Sequence, residues 1–314
     1  MVPPSRTPAL GDNDGMDLGV HLPQVDLSGE GLSLRRLTET ARAARDTGCA
    51  AVSANDHLYF ARPWLDGLTA LAAIVEHSGD LDLCTTVALP VIRGPLPLAK
   101  ALTALDVLSG GRVVAGIGAG SSAADLAASG VAFEDRWRRL DLDAALLREV
   151  LRGAPAPGGR LEPGPARSGG IPLWLASWGS PAGLRRVARW GDGWLASAYH
   201  TDPERFGADR ERLRRAVEAV GRTELPAAVA TMWTWVTEDR AEADRVVRDV
   251  LAPMLSTDPA DLLPRVCVGP AGHCVELLAA YAAAGCDRVH LWPVGDEPRQ
   301  LRLITERVLP RLDG

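Results

Sequence analysis

The sequence predicts an α/β fold, and within that class a (β/α)8 barrel, on three observations. Eight short apolar runs alternate with amphipathic helical patterns from one end of the chain to the other. The runs are apolar throughout instead of alternating with polar residues, which is the mark of parallel strands covered on their outer face. The length, 314 residues, suits one such barrel of about 250 residues with insertions. A doubly wound open sheet is the alternative that the same pattern allows.

In chain order, the strand candidates are Leu18–Pro23, Cys49–Ala54, Leu81–Leu89, Arg112–Ile117, Ile171–Ala176, Gly193–Ser197, Ala227–Val236 and Cys286–Trp292. Helical spacing separates them. After Ser33 as N-cap come Leu34, Leu37, Ala41 and Ala44; Leu98, Ala101, Leu102, Leu105 and Leu108 end at Gly110; Trp137, Leu140, Ala144, Leu147 and Leu151 form a further stripe, as do Leu301, Ile304 and Val308. Two segments break the alternation. The stretch 153–170 holds too much Pro and Gly for regular structure and reads as a surface loop, and an insertion with an extra helix starting near Pro270 precedes the last strand. Neither looks like a domain boundary. The expected organisation is a leader over residues 1–15, disordered by its Pro, Gly, Asp and Asn content, followed by a single barrel domain over residues 16–314.

Composition narrows the function classes. Hydrophobic residues make up 46% of the chain, no apolar run approaches the roughly 18 residues of a membrane span, and the leader has neither the basic nor the apolar region of a signal peptide. A cytosolic protein is expected. Cys49, Cys84, Cys267, Cys274 and Cys286 are odd in number and lack any C-x-x-C spacing, so they read as buried thiols, not as disulfides or metal ligands. A net charge of −6 argues against nucleic acid, which needs a basic footprint. The expected partners are a small-molecule substrate and a second copy of the chain, with no membrane and no metal.

Three strand ends carry chemistry. Asp56 and His57 directly follow the second strand, where a barrel opens into its active site; taken alone, the pair also suits a plain turn and loop cap. Gly116, Gly118 and Gly120 follow the fourth strand, with Ala119, Ser121 and Ser122 among them. They let a ligand approach the backbone, but the spacing is not that of a dinucleotide-binding G-x-G-x-x-G. After the fifth strand, Ala176-Ser177-Trp178-Gly179-Ser180-Pro181 runs into a helix whose N-terminus suits a phosphate, a role compatible with Ser180 as N-cap. No G-x-S-x-G, H-E-x-x-H or P-loop motif occurs. His21, His77, His200, His273 and His290 are scattered and read as structural.

Together, Gly19-Val-His-Leu-Pro23, Asn55-Asp-His57, Thr85-Thr-Val87, the long stretch from Ala99 to Gly120 and Val289-His-Leu-Trp-Pro-Val-Gly-Asp296 resemble the luciferase-like monooxygenase superfamily over residues 16 to 312. Asp56-His57 and Leu291-Trp-Pro293 look most like its branch that uses the deazaflavin coenzyme F420. The resemblance implies an F420-dependent oxidoreductase that transfers hydride between the deazaflavin and a small organic substrate. An FMN-dependent monooxygenase of the same superfamily and a flavin-binding protein without turnover are the alternatives. It further implies that His57 is the proton donor or acceptor near the reactive carbon, and that Asp56 bonds the cofactor ring or orients the histidine. Thr86 and Val87 would support the ring through a cis peptide; Gly118, Ala119, Gly120 and Ser121 would line its passage; Ala176, Ser177, Trp178, Gly179 and Ser180 would hold the phosphate. Where some sugar-phosphate-oxidising relatives carry a glutamate, this chain has Ser121, and Lys100 is its sole lysine, so glucose 6-phosphate is not the expected substrate. Trp64, Trp178, Trp194 and Trp292 are candidates to line an apolar pocket over the cofactor.

Overall fold

Parallel pairing runs from strand to strand around a closed ring, in a computed structural model that describes residues 15–27, 29 and 31–312. Residues 1–14 of the expected leader lie outside the described residues. The strands are β1 (Asp17–His21), β2 (Ala51–Ala54), β3 (Asp82–Thr85), β4 (Val113–Ile117), β5 (Leu173–Ala176), β6 (Gly193–Ser197), β7 (Ala227–Val236), β8 (Cys267–Gly269) and β9 (Arg288–Pro293). β1 to β7 pair in sequence, and β7 pairs with β9, which pairs with β1. Eight strands thus close the barrel, and the open-sheet alternative is excluded. The ninth, β8, is a short addition on the second half of β7 (Thr234 opposite Cys267).

Every expected strand is present. The third is shorter than its apolar run suggested: regular pairing stops at Thr85, the Thr86–Val87 peptide is cis, and Pro90–Arg93 forms a short helix. The loop 153–170 contains no helix or strand. The insertion needs one correction. The helix Ala271–Ala283 is not the extra piece, because Ala271, Cys274, Leu277, Leu278 and Tyr281 pack in the core around the barrel. Instead, residues 240–269 are inserted: Ala243, Val247, Leu251, Leu262, Val266 and Val268 form a separate apolar cluster with Val25, Leu27, Trp233 and Trp292, which covers one side of the barrel mouth.

Strand geometry sends alternate side chains to opposite faces. On β1, Leu18 and Val20 join the main outer core, while Asp17, Gly19 and His21 face inward. The inner face is graded along the barrel axis. At the N-terminal end the buried guanidinium of Arg288 donates to Asp82 (3.0 Å) and Asp17 (3.2 Å). The middle is apolar, with Ala51, Cys84, Val114, Trp174, Leu195 and Ala228, and it has room for the indole of Trp174 because Gly193 faces it: a Cβ there would lie 2.3 Å from the ring. Towards the C-terminal end the lining turns polar again, with His21, Ser53 and Thr86, all buried.

Several of the outer helices start on side-chain caps. Ser33 accepts from Arg36 N (3.2 Å), Ser180 from Gly183 N (3.1 Å) and Asp202 from Arg205 N (2.8 Å). Trp137, counted above in an apolar stripe, is 42% exposed and lies under the guanidinium groups of Arg136 and Arg186. Trp194 also departs from expectation. It points away from the mouth into the outer core, stacked on Phe206 at 5.0 Å. The described cysteines are all free, four of them buried and Cys49 half-buried.

Because Arg288 compensates two carboxylates inside the barrel, Arg288→Met should cost about 3–5 kcal/mol by leaving the Asp82 carboxylate buried without its partner. Urea unfolding followed by tryptophan fluorescence measures it, and a loss below about 1 kcal/mol would show that the network is dispensable.

Candidate active site

Asp56, Val87, Gly118 and Ala176 stand side by side at the C-terminal ends of four adjacent strands. Asp56 N donates to Val87 O (3.1 Å), and Gly118 N donates to Ala88 O (3.0 Å). A Cβ on Gly118 would lie 2.8 Å from Val87 Cγ2 and 3.6 Å from the Ala176 methyl group, so only a glycine keeps this shelf open. Ala119 is buried; Gly120 takes φ +80°, a left-handed turn that favours glycine; Ser121 is exposed.

The Asp56 carboxylate is drawn into an ion pair. It accepts from Arg93 Nε (2.7 Å) and Nη2 (2.6 Å) and from Leu89 N (3.0 Å), and Arg93 also bonds Asp66. The carboxylate beside the imidazole is a different one. Asp125 Oδ2 lies 3.2 Å from His57 Nδ1 and accepts from Leu58 N (3.2 Å), while its Oδ1 accepts from Tyr59 N (2.9 Å). Of the two roles expected for Asp56, orienting the histidine therefore falls to Asp125. Sequence reading missed Asp125, since an acidic residue three places after the N-cap Ser122 looks like ordinary helix capping.

Aromatic rings build one wall. His57 lies 5.1 Å from Phe60 and 4.8 Å from Trp64; Trp64 meets Trp292 edge-on; Trp292 is stacked between His21 (3.5 Å) and Trp233 (4.1 Å). Trp64 and Trp292 are thus at the mouth as expected, joined by Phe60, Trp233 and His21, which periodicity gave no reason to select. Burial lowers the pKa of His21 to about 3 and that of His290 well below the usual histidine value, so both stay neutral near pH 7. His21 Nδ1 lies 2.8 Å from the Leu22 carbonyl.

Buried polar side chains gather at this end of β1, β2 and β3: the Ser53 and Thr86 hydroxyl oxygens have no hydrogen-bond partner among the described residues, and the side chains of His21 and Asn55 face each other. Burying polar groups unpaired is costly. With the glycine shelf beside them, they fit a flat ring with a polar edge, as a flavin or deazaflavin has.

On the other side of the mouth, the loop after β5 is braced from within. Gly179 N donates to Ser177 Oγ (3.2 Å), and Trp194 Nε1 donates to Ser177 O (2.9 Å). Trp178 is 49% exposed, with its ring 3.8 Å from that of His200. Arg205 donates to Trp178 O (3.1 Å) and Arg265 to Tyr199 O (3.3 Å); burial, and secondarily these two cations, hold the His200 pKa down. Behind Gly179 stands Asp209, paired with Arg212 (2.6 Å) and Arg205 (3.7 Å). The described residues contain no group of His, Cys, Asp and Glu side chains that would hold a metal, and no described helix is long and apolar enough to cross a membrane.

A family model described as luciferase-like monooxygenase matches residues 16–288. Among curated proteins, an F420-dependent glucose-6-phosphate dehydrogenase of Amycolatopsis mediterranei (strain U-32) is 32% identical over 133 residues, which is 39% of this chain and 39% of that protein. The matched stretch spans 39% to 56% of the length of the first such relatives. Two solved structures share the fold. The monooxygenase RslO1 from Streptomyces bottropensis has a TM-score of 0.79 at 20% identity, covering 94% of this chain and 99% of that one. An F420-dependent secondary alcohol dehydrogenase in complex with an F420-acetone adduct has a TM-score of 0.77 at 16% identity, covering 95% and 99%.

Two outcomes follow from this geometry. Gly179 has φ +81°, and a Cβ there would lie 1.8 Å from Asp209 Oδ2; Gly179→Ala should therefore lower the unfolding midpoint of the ligand-free protein, and an unchanged midpoint in urea would show that the glycine is kept only for a ligand. The depressed His21 pKa has a definite sign: its contribution to stability is whole above pH 6.5 and is lost as pH falls from there towards 3, because the unfolded imidazole takes up a proton that the folded one refuses. Urea midpoints between pH 7 and 4.5 should fall with acid, less steeply for His21→Gln; identical slopes would mean that His21 is not held neutral.

Proposed function

This chain belongs to the luciferase-like monooxygenase family, and we propose that it is an oxidoreductase transferring hydride between a deazaflavin, coenzyme F420, and a small organic substrate. The observation that carries this reading is the meeting, at one mouth, of the unpartnered buried hydroxyls of Ser53 and Thr86 with the partly exposed imidazole of His57. The F420-dependent activity named for a curated relative points the same way.

In this reading Val87, Gly118 and Ala119 would support the ring, Thr86 and Asp56 would serve its polar edge, and Gly120 and Ser121 would let its chain pass. The loop Ala176, Ser177, Trp178, Gly179 and Ser180 would hold the phosphate at the start of the helix Pro181–Trp190. A bound deazaflavin supplies a two-electron carbon centre that gives or takes hydride. His57 moves the proton: it receives the substrate hydroxyl hydrogen when an alcohol is oxidised, and returns it to the oxygen when a carbonyl is reduced. Phe60, Trp64, Trp233 and Trp292 exclude water and present an apolar surface to the substrate. Glucose 6-phosphate does not fit this reading. Ser121 stands where sugar-phosphate oxidation calls for an acid, Lys100 is bonded to the Glu162 carbonyl, and Arg93 is already paired with Asp56 and Asp66.

Titration of the purified protein with F420 and with FMN, followed by tryptophan quenching, should give tighter binding of F420. Stronger FMN binding would overturn the deazaflavin reading in favour of a flavin monooxygenase. With an accepted substrate, His57→Ala should lose about 10²–10⁴-fold in hydride transfer while F420 affinity changes little; a wild-type rate would remove His57 from the chemistry, and binding without any turnover would leave a flavin-holding protein.

A further inference from the structure

Asp125 bonds the loop amides of Leu58 and Tyr59 and also meets the ring of His57. We infer that Asp125 is the positioning residue of the site, fixing His57 as the Nδ1–H tautomer so that Nε2 is the atom that exchanges the proton. This rests on the reading of His57 as the proton-transfer group.

Leu58 and Tyr59 turn their backbone N–H groups onto this one carboxylate and His57 brings its Nδ1 to 3.2 Å from it, across 66 to 68 residues of chain. A carboxylate so surrounded is an acceptor, so the hydrogen on the nearer ring nitrogen belongs to the imidazole. The Asp125 side chain is fully buried, whereas that of His57 is 21% exposed. Its own backbone is held at both ends: Asp125 N donates to Ser122 Oγ (3.1 Å), and Ser129 Oγ donates to Asp125 O (2.9 Å). The edge of Trp64 and the tilted ring of Phe60 limit rotation of the imidazole from the other side. The neutral ring then offers an Nε2 lone pair to the mouth, and it can have only one tautomer.

Oxidation balances on this arrangement. The substrate O–H bond breaks and its proton forms a bond to Nε2, while the C–H electron pair leaves with its hydrogen as hydride to the deazaflavin; reduction is the reverse. The cation that forms on His57 faces Asp125, which steadies the charge and needs no proton itself. A residue that only anchored the loop would bind the amides of Leu58 and Tyr59 and leave the tautomer free.

The test needs no substrate. The full-length protein labelled with ¹⁵N-histidine, at a pH where His57 is neutral, should show His57 protonated at Nδ1 and bare at Nε2, the signal being assigned by its loss in His57→Gln. A wild-type Nε2–H tautomer, or a mixture of both, overturns the inference. In Asp125→Ala the ring loses the acceptor beside Nδ1, and His57 should no longer be held as the Nδ1–H tautomer. Retention of Nδ1–H in a folded variant also overturns the inference and leaves Asp125 as a loop anchor. If the variant does not fold, the wild-type spectrum decides alone. In turnover, Asp125→Ala should lose about 10²-fold or more with F420 affinity unchanged. The absence of F420 activity in the wild type would count against the proposed function, and the tautomer would still be readable.

Discussion

Closure of the parallel hydrogen-bonded ring is the constraint on which the rest of the molecule depends. Once β7 pairs with β6 on one side and β9 on the other, the ring of eight strands has no edge of its own, and eight C-terminal strand ends must face the same opening. β7 meets both neighbours by bending: its register shifts between Val229 and Met232, where Thr231 takes φ 59°. Its first half then completes the barrel, and its second half extends past the rim to accept β8 and carry Trp233 into the mouth.

The interior divides its work along the axis. Charge lies at the closed end, where one arginine is shared by two aspartates; dispersion fills the middle; buried hydroxyls and imidazole line the open end. This order is physically consistent. A buried ion pair beneath the site is tolerable because Arg288 and Asp82 face each other, and an apolar layer above it separates it from the mouth. The unpaired hydroxyls of Ser53 and Thr86 lie where a ligand entering the mouth would meet them. Trp292, stacked between His21 and Trp233, joins the polar floor to the aromatic wall, so ring and substrate surfaces share one support.

Much of this was legible in the residues. The strands and their order follow from uniform apolar runs separated by helical stripes, and Asp56-His57, the glycines after β4 and the Ser177–Ser180 loop declare themselves by following strands at once. The boundary at Thr85 was not legible, because Ala88 and Leu89 are as apolar as a strand requires. Trp137 and Trp194 were misplaced for a related reason: a large ring reads as inward by hydropathy, but one is served by arginine stacking at the surface and the other by an indole hydrogen bond to Ser177 O in the outer layer.

The sequence by itself determined the fold class, the number of barrel strands and the end of the barrel where chemistry gathers, because each of these follows from local periodicity and from residues adjacent in the chain. Only the tertiary structure decided which carboxylate serves which cation. Asp56 and His57 are neighbours, yet one turns to Arg93 and the other to Asp125, 37 and 68 residues away. Adjacent side chains at the end of a strand point to different sides, so their partners are set by the loops that the closed barrel brings alongside, and no spacing along the chain encodes that choice.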